Sequence, residues 1–203
     1  MLEKKIADLF NQQINREFYS SYLYLDMSNY YYDNTLNGFG NWFGVQTQEE
    51  YAHAMLFVKY MQNNGAKVIL EAIAKPDIEF KSIKHPLDEA YEHELFISKS
   101  INEIYAAAYE LKDFRTMQFL DWFVKEQGEE EKNVEELCKR FDMFGTDPRG
   151  LYMLDNELSA RTFVAPALIT ASITSFIKEI SLLPASSKEN STSSTKVLAY
   201  STA

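Results

Sequence analysis

Four glutamates stand at positions where the surrounding pattern predicts core residues. Four long segments carry apolar or aromatic residues at alternating spacings of three and four, which is typical of helices with one buried face. Near the middle of each segment this face instead holds a glutamate: Glu17, Glu50, Glu94 and Glu130. Burying an unpaired ionised carboxylate is costly even after the protein relaxes. Four of them on facing helices therefore require positive charge close by.

The residues alone leave three ways to satisfy these carboxylates. A salt-bridge cluster needs Lys or Arg on the same helix faces, and none of the core-facing positions is basic. Solvent would hydrate the carboxylates if the core-facing positions of the helices were assigned wrongly. The same error would then have to occur in all four segments. A pair of divalent cations is the explanation we favour. Oxygen ligands with a single imidazole suit Fe(II) or Mn(II) better than zinc.

Glu50 and His53 form a Glu-x-x-His motif in the second segment. Side chains three positions apart lie on the same face of a helix, so both can bind one metal ion. One such motif, combined with glutamates from the partner helices, is typical of di-iron carboxylate sites in helical bundles. The spacing therefore predicts a paired metal site in the core.

Long stretches without glycine or proline predict that helices position these residues. The predicted helices cover residues 2–32, 39–64, 86–113 and 116–144, and a shorter fifth covers 148–163. Residues 66–85 contain a proline and lack a helical period, and they are long enough to connect opposite ends of a helix pair. We predict an all-α fold: a four-helix bundle with a long crossover between helices two and three, plus a short fifth helix.

Charge and cysteine content limit which partners and which cellular location are expected. The chain has 20 basic and 30 acidic residues, a formal net charge of −10, and no basic cluster, so nucleic acid is not an expected partner. Cys138 is the one cysteine, which suits a reducing cytosol. No run of 18 apolar residues is present, so we expect no membrane partner and a cytoplasmic location.

At the candidate ligands the sequence resembles the non-haem ferritins of the bacterial type. The resemblance covers about residues 1–166 and rests on the motifs NREFYSSYLY, QTQEEYAHAMLF, YEHE, FLDWFVKEQGEEEK and GLYMLDNELSARTF. It implies the ferritin-like fold and a hollow homo-oligomeric shell of twenty-four subunits. It also implies an iron storage protein with ferroxidase activity, which oxidises Fe(II) with dioxygen or peroxide and stores ferric mineral inside.

The resemblance assigns the iron ligands residue by residue. Glu17, Glu50 and His53 would hold the first iron. Glu94 and Glu130 would join the bridging Glu50 around the second iron.

Gln127 would be a hydrogen-bonding neighbour of the second iron. Related proteins with two Glu-x-x-His motifs place the second one in the fourth helix, where this chain has Gln127-x-x-Glu130. The second iron would therefore lack an imidazole and be held more loosely. Our hypothesis is that this asymmetry lets oxidised iron leave for the mineral.

Three further glutamates flank the core faces and correspond to a third iron site in the family: Glu49, Glu126 and Glu129. The alternative is a solvated acidic helix face, because more glutamates follow Glu129 along the same helix.

Other side chains are candidates for electron transfer or haem binding. The resemblance makes Tyr24 and Trp122 candidate electron donors, although most buried aromatics only fill a core. Ala52 stands where the haem-ligating methionine of bacterioferritins lies, so we expect no haem. His93 precedes Glu94 and points away from the core face, so we expect a solvated or interface histidine.

The last part of the chain does not share the resemblance. We divide the sequence into a di-iron domain, 1–166, and a Ser/Thr-rich tail, 167–203. Apolar residues at helical spacing predict an amphipathic helix over about 168–183, and the composition after Pro184 predicts a flexible segment. A genuine extension near a channel, a docking segment and a read-through product all remain open.

Two other function classes compete with iron storage. One is a di-metal oxygenase, peroxidase or manganese catalase that acts on a substrate. Oxygenases usually carry two Glu-x-x-His motifs, and a rubrerythrin-like peroxidase needs a four-cysteine iron site that one cysteine cannot build. The other is a passive shell with a degenerate site, against which the full set of glutamates and His53 argues.

Overall fold

Five helices make up the part of the chain that the computed structural model describes, residues 2–166. Their bounds are α1 Lys4–Asp33, α2 Asn37–Asn63, α3 His85–Glu110, α4 Phe114–Phe144 and α5 Pro148–Leu158. The predicted all-α bundle with a short fifth helix is confirmed. None of the described helices is long and apolar enough to cross a bilayer.

Two antiparallel hairpins form the bundle. The start of α1 lies beside the end of α2, where Leu2 N donates to Asn64 O at 3.4 Å. Residues 64–84 then form the predicted crossover between helices two and three. In the second hairpin, Gln127 of α4 donates to Glu94 of α3, and Cys138 lies nearer the start of α3, donating to Leu87 O. This arrangement brings the middles of all four helices together.

The turn between α3 and α4 differs from its prediction. Helix α3 ends at Glu110 and α4 begins at Phe114, so α3 is shorter and α4 is longer than predicted. Lys112 has a φ of 55°, in the left-handed region, which stops the helix. Asp113 then caps α4 because its Oδ1 accepts from Thr116 N at 3.1 Å.

Helix α5 is also shorter than predicted, ending at Leu158 rather than at residue 163. The chain beyond it is held in a non-helical path by Asn41, whose Nδ2 donates to Leu158 O at 3.3 Å and to Arg161 O at 3.0 Å. The Asn41 amide thereby pairs with the last carbonyl of α5 and with a carbonyl three residues beyond the helix.

The N-terminus of α2 is capped by a residue distant in sequence. Asp155 of α5 accepts hydrogen bonds from Gly38 N at 2.8 Å and Phe39 N at 3.0 Å. Free N–H groups and the helix dipole both favour a carboxylate there. A Cβ on Gly38 would lie 1.6 Å from Asp155 O, so only glycine allows this contact. Helix α5 is thereby tied to the helix that carries the Glu-x-x-His motif.

Aromatic layers enclose the bundle centre on both sides. On one side Phe57 stacks on Phe123 with ring centroids 4.2 Å apart. On the other side Tyr31 stacks on Phe39 and Phe43, with centroids 5.0 and 5.5 Å away. All these rings are buried, so the polar groups between them are shielded from water.

The predicted helix and flexible segment within residues 167–203 lie outside the described residues.

Candidate metal centre

The four predicted glutamates meet in the middle of the bundle, one from each long helix. Glu17, Glu50 and Glu94 are 1% exposed, and Glu130 is 4% exposed. His53 on α2 is 2% exposed and lies beside them. The sequence pattern therefore located a buried carboxylate cluster rather than a solvated face.

Within residues 2–166, two carboxylate oxygens of this cluster have no hydrogen-bond partner. They are Oε2 of Glu17 and Oε1 of Glu50. His53 Nδ1 lies 3.6 Å from the other oxygen of Glu50. Each of these three residues offers a ligand atom within 4.8 Å of the others. Buried oxygens without a proton donor, together with an imidazole nitrogen, suit a divalent cation that accepts mixed oxygen and nitrogen ligands.

A pair of side chains that the sequence reasoning missed orients Glu17. Gln13 Nε2 donates to Glu17 Oε1 at 2.8 Å, and Ser100 Oγ donates to Gln13 Oε1 at 2.5 Å. Because Ser100 occupies the amide oxygen, the Gln13 amino group faces Glu17. Gln13 lies one turn before Glu17, and this spacing was the available signal.

Glu94 and Glu130 differ from Glu17 and Glu50 because, among the described residues, neither has a buried oxygen without a hydrogen-bond partner. Glu94 accepts from the Tyr24 hydroxyl and from Gln127 Nε2, the latter at 3.0 Å. Glu130 accepts from Gln46 Nε2 at 3.1 Å. Gln127 thus lies beside Glu94, and Gln46 is a further contact that the sequence reasoning did not assign to the site.

Burial shifts the acidity of the whole cluster. It raises the pKa of Glu17 to about 8, with the Glu50 charge adding to the effect. It raises the pKa of Glu130 to about 7, and the neighbouring Glu94 charge adds to this. The pKa of Glu50 is raised well above its usual range by burial and by the Glu94 and Glu130 charges. The centre therefore holds protons near neutral pH, and a metal ion must displace them.

Tyr24 and Trp122 lie on opposite sides of the cluster. Burial and the Glu94 charge raise the pKa of Tyr24 well above its usual range, so its hydroxyl stays protonated and donates to Glu94. The half-buried Trp122 packs edge-on against His53, with ring centroids 5.5 Å apart. Both aromatics are adjacent to predicted iron ligands.

The three glutamates of the predicted third site have different surroundings. Glu49 Oε2 lies 2.6 Å from Arg161 Nη2, and burial raises the Glu49 pKa to about 7. Glu126 is half-buried, which raises its pKa, whereas Glu129 is exposed and pairs with Lys125 at 3.1 Å. A third iron site at these residues stays a prediction.

His93 is partly buried, so the solvated alternative of the prediction was wrong, and an interface role stays a prediction. Its Nε2 lies 2.7 Å from Ser20 Oγ, and its ring packs edge-on against Tyr24 at 5.9 Å. Burial lowers the His93 pKa to about 4, so the ring is neutral at physiological pH. Its position between α1 and α3 makes it part of the packing behind Tyr24.

A four-helix bundle with a buried carboxylate from every helix and a Glu-x-x-His pair at its centre is typical of the class of helical bundles that bind metal ions in their core. Within that class, the Ferritin-like domain model matches residues 7–144. The chain belongs to the ferritin-like family.

Relatives and solved structures agree with this assignment over most of the chain. The bacterial non-heme ferritin of Campylobacter jejuni is 37% identical over 78% of this chain and 95% of its own length. That of Staphylococcus saprophyticus is 33% identical over 80% of this chain and 98% of its own. The open-pore ferritin of the archaeon Archaeoglobus fulgidus superposes with a TM-score of 0.78 at 40% identity, covering 80% of this chain and 100% of that one.

Proposed function

We propose that this protein stores iron and is a ferroxidase, oxidising Fe(II) at a paired site in each subunit and keeping the ferric product in a hollow shell. One observation carries this proposal. Among the described residues, Glu17 and Glu50 each have a buried carboxylate oxygen without a hydrogen-bond donor, and both residues lie beside His53. The similarity to bacterial non-heme ferritins supports the storage role.

Each side chain has a distinct part in binding the substrate iron. Glu17, Glu50 and His53 hold the first Fe(II), and Glu50 is placed to bridge to the second. Glu94 and Glu130 complete the second position, where Tyr24 and Gln127 keep Glu94 in place. The protons that the raised pKa values retain leave the carboxylates as the cations enter.

The reaction itself balances with dioxygen as the oxidant. Two Fe(II) ions lose one electron each, and one dioxygen molecule accepts both electrons together with two protons. Holding two metal ions side by side makes this two-electron transfer possible in one site. The aromatic layers above and below keep bulk water from the reacting ions.

The second position is built to release iron more readily than the first. It has no imidazole, because Gln127 stands where a second histidine would complete another Glu-x-x-His motif. Gln127 instead donates its amide to Glu94 and so lowers the charge available for a metal ion. We propose that ferric iron leaves by way of Glu49, Glu126 and Glu129.

The wider setting follows from the family. We propose a shell of twenty-four subunits, two iron positions per subunit plus the third site, and no haem because Ala52 replaces the ligating methionine. The lone Cys138 thiol supports a cytoplasmic location.

Oxygen consumption during iron oxidation tests the catalytic part of the proposal. The full chain should consume about one dioxygen per two Fe(II) at the paired site, and Glu50→Gln should oxidise iron no faster than buffer. Glu103→Gln, on an exposed position of α3, is the matched control and should react as the wild type does. Equal rates in Glu50→Gln and wild type would contradict the proposal.

A further inference from the structure

Arg161 lies after α5, outside the four-helix bundle, yet its guanidinium reaches the side of the metal centre. Its Nη2 donates to Glu49 Oε2 at 2.6 Å and also to Gln46 Oε1. Gln46 in turn donates to Glu130 Oε2 at 3.1 Å. A continuous chain of hydrogen bonds therefore joins this arginine to a predicted ligand of the second iron.

Several contacts fix Arg161 in this position. Its Nη1 donates to Trp42 O at 3.1 Å, and the guanidinium lies over the Trp42 ring at 4.5 Å from the centroid. Asn41 Nδ2 donates to its backbone carbonyl at 3.0 Å. The side chain is 22% exposed. A guanidinium with this many fixed contacts differs from an exposed surface charge, whose ion pairs contribute little.

The position of this charge matters because Glu49 and Glu126 are the partly buried exit residues, and Glu49 is the one that pairs with Arg161. The guanidinium is always protonated, so it neutralises Glu49 while no metal ion is present. A divalent cation that binds Glu49 must break the 2.6 Å charge-assisted hydrogen bond or share the carboxylate with a neighbouring positive charge.

We propose that Arg161 is a positioning residue and a resident counter-cation of the centre: it holds Glu49 and, through Gln46, Glu130, and iron moving to Glu49 must displace it. This inference rests on the proposed function, because it concerns iron leaving the paired site. The C-terminal end of the bundle domain thereby limits how tightly the exit position holds a cation.

Arg161→Gln and Arg140→Gln form a matched pair of variants for testing this role. Arg140 lies on α4 and pairs with Glu157 of α5 at 2.6 Å, so both variants remove one guanidinium from the neighbourhood of α5. In the structure, Arg140 has no hydrogen bond to Gln46 or Glu49, so its variant reports any general effect of charge or of α5 packing.

The measurement is anaerobic calorimetric titration of the full chain with Co(II), at mildly alkaline pH. Arg161→Gln should bind its weakest Co(II) about tenfold more tightly than the wild type, the factor expected for losing one charge-assisted hydrogen bond. The Co(II) affinity of Arg161→Lys should lie between those of the wild type and Arg161→Gln, because lysine keeps the positive charge but lacks the planar guanidinium that donates several hydrogen bonds at once. Arg140→Gln should match the wild type.

The double variant Arg161→Gln with Glu49→Gln separates counter-charge from structural support. Removing Glu49 should abolish the gain in affinity, and persistence of that gain would overturn the inference. A titration of Arg161→Gln that matches Arg140→Gln would overturn it too, while normal wild-type binding would leave the proposed function intact. Absence of Co(II) binding in the wild type would overturn both.

Discussion

At the scale of single residues, the buried carboxylates of the metal centre lower the stability of the metal-free protein. Glu17 and Glu50 each have an oxygen with neither a donor nor solvent to stabilise its charge. The raised pKa values of Glu17 and Glu130 express the same energetic cost, since burial disfavours their ionised forms. The stability of the metal-free protein should therefore depend on pH in a defined direction.

We predict that the metal-free protein loses stability as the pH rises from about 6.5 to about 8.5. Glu17 and Glu130 have folded-state pKa values of about 8 and about 7, above the ordinary value, so the folded state binds more protons than the unfolded state in this range. His93, whose folded pKa is about 4, adds no slope above the ordinary histidine pKa of about 6.5.

Urea unfolding of the metal-free protein across this pH range measures the slope. Glu17→Gln should flatten it and raise the unfolding free energy at the alkaline end by on the order of a few kcal/mol, since one pKa unit corresponds to about 1.4 kcal/mol. Glu103→Gln, at an exposed position, should leave the slope unchanged. Stability that increases through this range would refute the burial argument.

We predict opposite effects of two substitutions at the two iron positions. His53→Ala removes the only imidazole of the cluster among the described residues and should weaken the first position, slowing oxidation about tenfold or more. Gln127→His should tighten the second position and slow repeated turnover, leaving the first addition of iron fast. Stopped-flow absorbance during successive iron additions distinguishes them. Wild-type rates in His53→Ala would mean that the ligand assignment is wrong.

At the scale of elements, α5 and the chain after it hold the helix that carries Glu50 and His53. Asp155 caps α2 across the fold, and Arg161 reaches Gln46 and Glu49 on the same helix. The position of α2 thus depends on a segment more than a hundred residues later in the chain.

Removing the cap should destabilise the domain without abolishing the metal centre. Asp155→Ala leaves the N–H groups of Gly38 and Phe39 unpaired and should cost about 0.5–2 kcal/mol of unfolding free energy. Asp155→Asn is the control, because its side-chain oxygen can still accept and its loss should be smaller. Thermal unfolding monitored by circular dichroism measures both, and equal stability of Asp155→Ala and wild type would show that the cap contributes nothing.

The sequence predicted those parts of the site that repeat at helical spacing. Periodicity alone predicted that four glutamates and His53 cluster in the core, because each lies on an otherwise apolar helix face. It could not predict that Ser100 orients Gln13, or that Arg161 reaches Glu49, since such contacts depend on how distant segments pack. The ends of α3 and α5 were missed because backbone turns and Asn41 decide them.

At the scale of the whole molecule, charge and assembly determine what a paired site can accomplish. A formal net charge of −10 attracts cations to the protein surface. A paired site alone turns over iron without retaining it, whereas a closed shell keeps the ferric product soluble. Storage is therefore a property of the assembly, and only the oxidation step belongs to the single bundle.

The most direct test is aerobic loading of the full chain with Fe(II), followed by size separation with iron measured in the eluted protein. We predict that iron far beyond the two or three ions that the side chains bind remains soluble and elutes with a large assembly. Binding that stops at two ions per chain, with the excess precipitating, would contradict iron storage and would assign the bundle to a di-metal enzyme that acts on a substrate.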